Sequence, residues 1–325
     1  MRAKVAMKKI TAFAGALLAG APIVAGAQNF PAKPVRIIVP FAAGGGADYI
    51  SRLMGQRLTE PLGQQIVIEN RPGAGGTVGT ELGVKSPPDG YTLTMISSSY
   101  PVLPSLYKLS FDPLNDIAPI ILVAKTPFIV TVHPSLPVNS VKELIALAKA
   151  KPGEINFASA GTGSGVHLAT ELFMHQAGIK MNHVPYKGTG PALTDTMAGQ
   201  ITLIFGSVAA TLPHVKSKRL RGLAVTSAQR NAAEPSIPTV AESGLPNYEV
   251  LDWSSLIAPK GTPRPVVDRI NGEVRKVLVQ MDFETRLQQD GLAAGGGTPE
   301  QLLDMIRREM EQWRKVIAAA GIKVN

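Results

Sequence analysis

Short apolar runs that read as strands alternate along the chain with helical patterns. This alternation constrains the fold more than any other feature. Residues 35–41 (VRIIVPF) read as a buried strand and Gly44-Gly45-Gly46 as a loop, and Asp48 opens a helix whose Ile50, Leu53, Met54 and Leu58 share one stripe. Further strands are expected at 66–69, 92–96, 155–158, 182–186, 201–205 and 220–226. Between them, Ser140 with Glu143 forms a capping box, and Thr262-Pro263 and Thr298-Pro299 each pair an N-cap with a proline at the first helical position. Strands that alternate with helices imply parallel sheets covered on both faces.

A chain of 325 residues exceeds one ordinary core, so two α/β domains are expected. Two extended stretches read as crossings between them. Residues 117–132 form a long apolar run interrupted by Pro119 and Pro127, and residues 248–258 form a second. A chain that leaves a first domain and returns to it makes that domain discontinuous and leaves a cleft. The expected division is 28–125 with 257–325 as domain 1, and 126–256 as domain 2. The alternative is two consecutive domains divided near residue 150, with the last helices packed on the second.

The N-terminus reads as a secretory signal peptide spanning residues 1–27. Arg2, Lys4, Lys8 and Lys9 precede an apolar run over 10–19, and Ala25-Gly26-Ala27 is a small-residue cleavage site, with cleavage after Ala27. Met7 would serve equally well as the start. Pro22 and Gly26 break the run and argue against a retained anchor, and no later segment approaches the ~20 apolar residues that span a bilayer. The expected mature protein is soluble and exported. Loss of four cations leaves 29 Lys+Arg against 24 Asp+Glu, so the formal +9 falls to +5 and the argument for nucleic-acid binding goes with it. The absence of cysteine excludes disulfides, thiolate nucleophiles and Cys-ligated metal centres.

Enzyme signatures fail one after another. No Gly-Lys dipeptide exists, so there is no Walker A loop; residues 161–165 put Val166 where a dinucleotide-binding motif needs glycine; no G-x-S-x-G elbow is present. His167, Glu171 and His175 share a helix stripe, but the two histidines lie ~12 Å apart along the axis and cannot hold one ion, which leaves a solvated face or a domain contact. Lys216, Lys218, Arg219 and Arg221 lack interleaved aromatics and read as a solvated surface. No metal, no cofactor and no catalytic residue is expected.

The glycine-rich loops are more telling because they sit where strands hand over to helices. There, unpaired N–H groups and the positive end of the helix dipole favour anions. One such loop is 41–48 (FAAGGGAD); a second, 159–164 (SAGTGS), falls in the other expected domain, and two facing anion holes suit a dicarboxylate. Asn70 to Gly76 forms a third junction, in which Arg71 reads as half of a structural ion pair.

Taken together, these motifs resemble the Bug-type solute receptors of tripartite tricarboxylate transporters. The resemblance rests on 31–41 (PAKPVRIIVPF), the triple glycine with Asp48, 69–76 (ENRPGAGG), 88–93 (PDGYTL), 158–164 (ASAGTGS), 184–188 (VPYKG), 237–244 (IPTVAESG) and Trp313, and spans essentially the whole mature chain. It implies a type II-like periplasmic-binding-protein fold: two Rossmann-like α/β domains with an interdomain cleft that closes on a small organic mono- or dicarboxylate. It also implies a monomer that hands its ligand to membrane permease subunits. The ligand contacts it implies are Phe41, Ala42, Gly45, Gly46 and Asp48 on one side and Ser159, Ala160, Gly161, Thr162, Gly163, Ser164 and His167 on the other, with Ser98, Tyr100, Tyr186 and Gly206 completing the set. Ala47 stands where the family often carries Thr or Ser, and Ser98-Ser99-Tyr100-Pro101 replaces a frequent histidine, so Tyr100 is expected to form an aromatic wall. Two competing readings are a partner of a periplasmic signalling receptor and a hydrolase using Ser164 and His167.

Overall fold

The computed structural model describes residues 30–320. The expected signal peptide, its cleavage after Ala27 and the choice between Met1 and Met7 lie outside the described residues. The chain opens with β1 (Val35–Val39), α1 (Gly46–Leu62) and β2 (Ile66–Asn70), continues through α2 (Thr77–Val84), β3 (Thr92–Ser97) and the short α3 (Leu103–Leu106), and enters β4 (Ile117–Val132). There follow α4 (Val141–Ala150), β5 (Asn156–Ser159), α5 (Gly165–Ala177), β6 (Asn182–Pro185), α6 (Thr189–Met197), β7 (Leu203–Ser207), α7 (Val208–Lys216) and β8 (Arg221–Val225). The return strand β9 (Leu251–Pro259) leads to α8 (Arg264–Leu278), α9 (Met281–Gln289), β10 (Ala293–Gly296) and α10 (Pro299–Ala320). Most expected strands lie within two residues of these. By contrast, β10 has no counterpart among them: its sequence AAGG has no β-forming side chain and is held by pairing with Leu122–Lys125.

The strand order is β2-β1-β3-β9-β4-β7-β5-β6, with β8 and β10 also on β4. Pairs β1/β2, β1/β3, β5/β6 and β5/β7 are parallel, as the alternating pattern implies. The two crossings, β4 and β9, run antiparallel to each other. β4 is the spine of the molecule: Ile117–Pro127 pairs with β9, whereas Phe128–Val132 pairs with β7 and β8. The prolines expected to break this run do not break it. Pro119 sits at a register shift, and Pro127, which has no N–H to donate, falls where the ladder exchanges β9 for β7.

Apolar packing fixes these layers. On α1, Ile50 and Met54 are fully buried against Ile37 and Val39 of β1, each contributing about 1.5–3 kcal/mol by leaving water. Ser140 accepts from Glu143 N–H as expected, but the Glu143 carboxylate reaches one residue past the cap to Asn139 N–H, so the box is shifted and not strictly reciprocal. Thr298 and Gln301 form the strict reciprocal box at the start of α10. Thr262 instead donates its hydroxyl to Pro259 O at 2.8 Å, so α8 begins two residues later, at Arg264.

Candidate ligand-binding site

Four helices start at one place between the two ladders. α1 begins after Gly45, α6 after Gly188 and α7 after Ser207, and none of the three has a side chain satisfying its first-turn N–H groups. α5 begins at Ser164, whose Oγ accepts from His167 N–H and leaves the N–H groups of Gly165 and Val166 uncapped. These starts line a cavity of about 30 Å³ together with Phe41, Ser97, Phe128, Ala160 and Asp252. Among the described residues, no Lys, Arg or His lines it. Ser207 Oγ is buried, has no hydrogen-bond partner among the described residues and belongs to this lining. Helix starts with uncapped N–H groups and an unused hydroxyl are groups that can donate to an anion.

The α1 loop is braced from one side. Asp48 is 5% exposed and accepts from Gly44 N–H at 3.0 Å, Arg52 Nε at 3.1 Å and Asn70 Nδ2 at 2.9 Å, while Asn70 also donates to Phe41 O. Burial works to raise this carboxyl, but Arg52, Gly44 and Asn70 outweigh it and hold it below its usual range. The third strand-to-helix junction therefore serves the first loop through Asn70, while Arg71 pairs with Glu69.

The α5 loop is shaped from below by two histidines. Ser159 Oγ meets His183 Nε2 at 2.6 Å and accepts from Gly161 N–H, and His167 Nδ1 accepts from Gly163 N–H at 3.2 Å. The rings of His167 and His183 stack 4.1 Å apart, with Phe157 4.9 Å from His183. Burial, aided by the neighbouring His167, pushes His183 down to about 3. Unfolding lets His183 take up a proton below its ordinary value near 6.5, so its contribution is complete above that pH and is lost as pH falls towards 3. We expect thermal melts to show stability dropping by about 1 kcal/mol per pH unit across this window. His183→Gln, which keeps the bond to Ser159, should flatten that limb; an unchanged slope would contradict this assignment.

The two halves meet around the cavity. Ala42 N–H donates to Lys187 O at 3.0 Å, and Tyr107 Oη donates to Thr162 O at 2.8 Å. The close approach depends on glycine: a Cβ at Gly188 would stand 2.7 Å from Ala42 N, and one at Gly190 would overlap Ala43 O. A volume of about 30 Å³ holds a water or two. A far wider groove of about 1440 Å³ lies between α1 and α9, but its charged groups are already paired, Arg57 with Asp282 and Arg286 with the adjacent Asp290, both at 2.6 Å, and Arg52 with Asp48 at 2.9 Å.

Of the sixteen expected contacts, Phe41, Gly45, Gly46, Asp48, Ala160 and Ser164 line the cavity. Ala42, Gly161, Thr162 and Gly163 lie in the contacts that bring the two halves together around it. Ser159 and His167 support the α5 loop; His167 is buried, whereas only His175 of that stripe is solvated. Ser98 holds Asp252, Tyr186 donates to Asp195, and Gly206 lies inside β7 against Thr211. Tyr100 differs most from expectation. Its ring packs against Phe111 in a second core cluster with Trp253 and Ile306, and its hydroxyl donates to Pro113 O, so it forms no wall of this cavity. Sequence reasoning missed Ala47, Ser97, Phe128, Gly165, Val166, Thr189, Ser207 and Asp252. The strand-to-helix rule that found Ser164 applies equally to Thr189 and Ser207; Phe128 and Asp252 sit on the crossing strands and give no local signal.

The model for the tripartite tricarboxylate transporter family receptor matches residues 50–322. The chain belongs to this receptor family. The receptor is 36% identical to the BugT protein of Bordetella pertussis over 324 residues, covering 98% of this chain and 99% of that one. It superimposes on the solved structure of R. palustris Rpa4515 with adipate with a TM-score of 0.88 at 36% identity, covering 90% of this chain and 99% of that one. It also resembles MatC from Rhodopseudomonas palustris with bound malate, with a TM-score of 0.85, 30% identity and coverage of 89% and 100%. The two-domain α/β architecture is thus that of Bug-type periplasmic solute-binding proteins, a family of receptors and not of enzymes.

Proposed function

We propose that this receptor captures one small organic mono- or dicarboxylate between two closing domains in the periplasm and delivers it to the membrane permease subunits of a tripartite tricarboxylate-type transporter. The domains of this reading are 28–125 with 257–325, and 126–256. The exchange of ladder partners at Pro127–Phe128 supports the first crossing, and the start of the β9 ladder at Leu251 supports a second a few residues before 257. The observation that carries the reading is the convergence of four helix starts and the free Ser207 hydroxyl on one cavity without a lining cation. Such a site binds carboxylates by directed N–H groups. The bound adipate and malate of the two similar structures are in keeping with it. The ligand bridges both halves, so it favours the closed state by its differential affinity.

Thermal-shift screening of the chain from Gln28 onward against an organic-acid panel tests this directly. A true ligand at a hundred times its Kd should stabilise the fold by about 2.7 kcal/mol, bind 1:1 in calorimetry and be recovered unchanged. A panel without a single shift, or steady conversion of a ligand to product, would overturn the reading.

A further inference from the structure

The cavity contains one ionisable group that anion binding leaves unexplained. Asp252, on the return strand β9, sits opposite Thr126 on β4, two residues along the spine from Phe128, whose partner is Ser207. Its Oδ1 accepts from Ser98 Oγ at 2.6 Å, Trp253 N–H at 2.9 Å and Ser98 N–H at 3.4 Å. Among the described residues its Oδ2 has no hydrogen-bond partner and no cation pairs with it, although the residue lines the cavity. The other lining acid, Asp48, is already matched by Arg52 at 2.9 Å. Gly165 lets α5 press onto this group, since a Cβ there would come within 2.5 Å of Ser98 Oγ and 3.7 Å of Asp252 Oδ1.

A carboxylate in a water-poor cleft without a counter-charge costs several kcal/mol, and a second ligand carboxylate beside it would add repulsion. A ligand that brings its own cationic group removes both penalties. We propose that Asp252 is a specificity residue that selects zwitterionic carboxylates, such as amino acids or ω-amino acids, by pairing with their ammonium group while the helix starts and Ser207 hold their carboxylate. The proposal rests on the carboxylate-receptor reading above and narrows its ligand class.

The test is calorimetry with matched straight-chain acids that end in methyl, carboxylate or ammonium, each in several chain lengths, together with the common α-amino acids. The tightest ligand should carry an ammonium group, and its methyl-ended counterpart should bind about 30-fold more weakly or worse. Asp252→Asn should erase that advantage while changing affinity for the methyl-ended acid by no more than about threefold. Tightest binding of a carboxylate- or methyl-ended acid to the wild-type protein overturns the proposal, as does a preference that survives in Asp252→Asn. The wild-type comparison decides alone if the variant does not melt cooperatively. Failure of every acid to bind sinks the carboxylate-receptor reading itself, so the two failures are distinguishable.

Discussion

Gly190→Ala is expected to weaken binding of the captured carboxylate by about 100-fold or more while leaving the unfolding transition intact. Gly190 lies in the first turn of α6, and the Cβ that alanine adds would overlap the Ala43 carbonyl oxygen and crowd Gly44 Cα, 3.3 Å away. Both obstacles are backbone of the facing half, which cannot swing aside as a side chain can. Within its own half, alanine is the better helix residue by about 1 kcal/mol, so the variant should fold as well as the wild type. The cost therefore falls on closure alone, and affinity drops with the fraction of molecules able to close. Calorimetry against the best ligand, with small-angle scattering to follow ligand-induced compaction, reads both effects. Wild-type affinity in Gly190→Ala would show that the contact between Gly190 and Ala43 is not part of the bound state.

Asp48→Ala should act in the opposite sense, on the fold as well as the site. The substitution strips the Gly44 N–H of its acceptor, leaves Asn70 Nδ2 with Phe41 O alone and leaves the half-exposed Arg52 with only Asn70 Oδ1, all around a residue that is 5% exposed. Stranding these donors should lower the unfolding free energy by about 2–3 kcal/mol and loosen the glycine loop that starts α1. The Asp48 carboxyl is held below its usual range in the folded state, so its contribution is present above pH ~4 and is lost as pH falls through the folded value. Denaturant melts at neutral and acidic pH check this. The gap between wild type and Asp48→Ala should narrow in acid, whereas a constant gap would assign the loss to packing. Asp48→Asn, which keeps an oxygen towards Gly44, should fall between the two.

Parts of the site were legible in the sequence because they are local. A strand that ends in glycine or serine ahead of a helical stripe announces a helix start, and a helix start presents N–H groups whatever surrounds it. Residues 41–48 and 159–164 follow this rule, as do Thr189 and Ser207. Tyr100 shows the limit. Its position after β3 is close to the cavity in sequence, but Phe111, Trp253 and Ile306 offered its ring an apolar enclosure, with the Pro113 carbonyl for its hydroxyl, and burial won. His167 likewise turned inward because His183, a strand away, offered a stacking surface.

The sequence by itself determined the alternation of strands and helices, the two long strands β4 and β9 and the family, because hydrophobic period, capping residues and glycine loops act over a few neighbours. Tertiary structure alone decided which of those loops face one another and what lies on the cavity floor. Asp252 reaches its place by antiparallel pairing with Thr126, across a separation of more than a hundred residues, and nothing near it in sequence signals that encounter. The glycines of α6 tell the same story: Gly190 is unremarkable in its own helix, and its lack of a side chain matters only where the backbone of Ala43 comes to meet it.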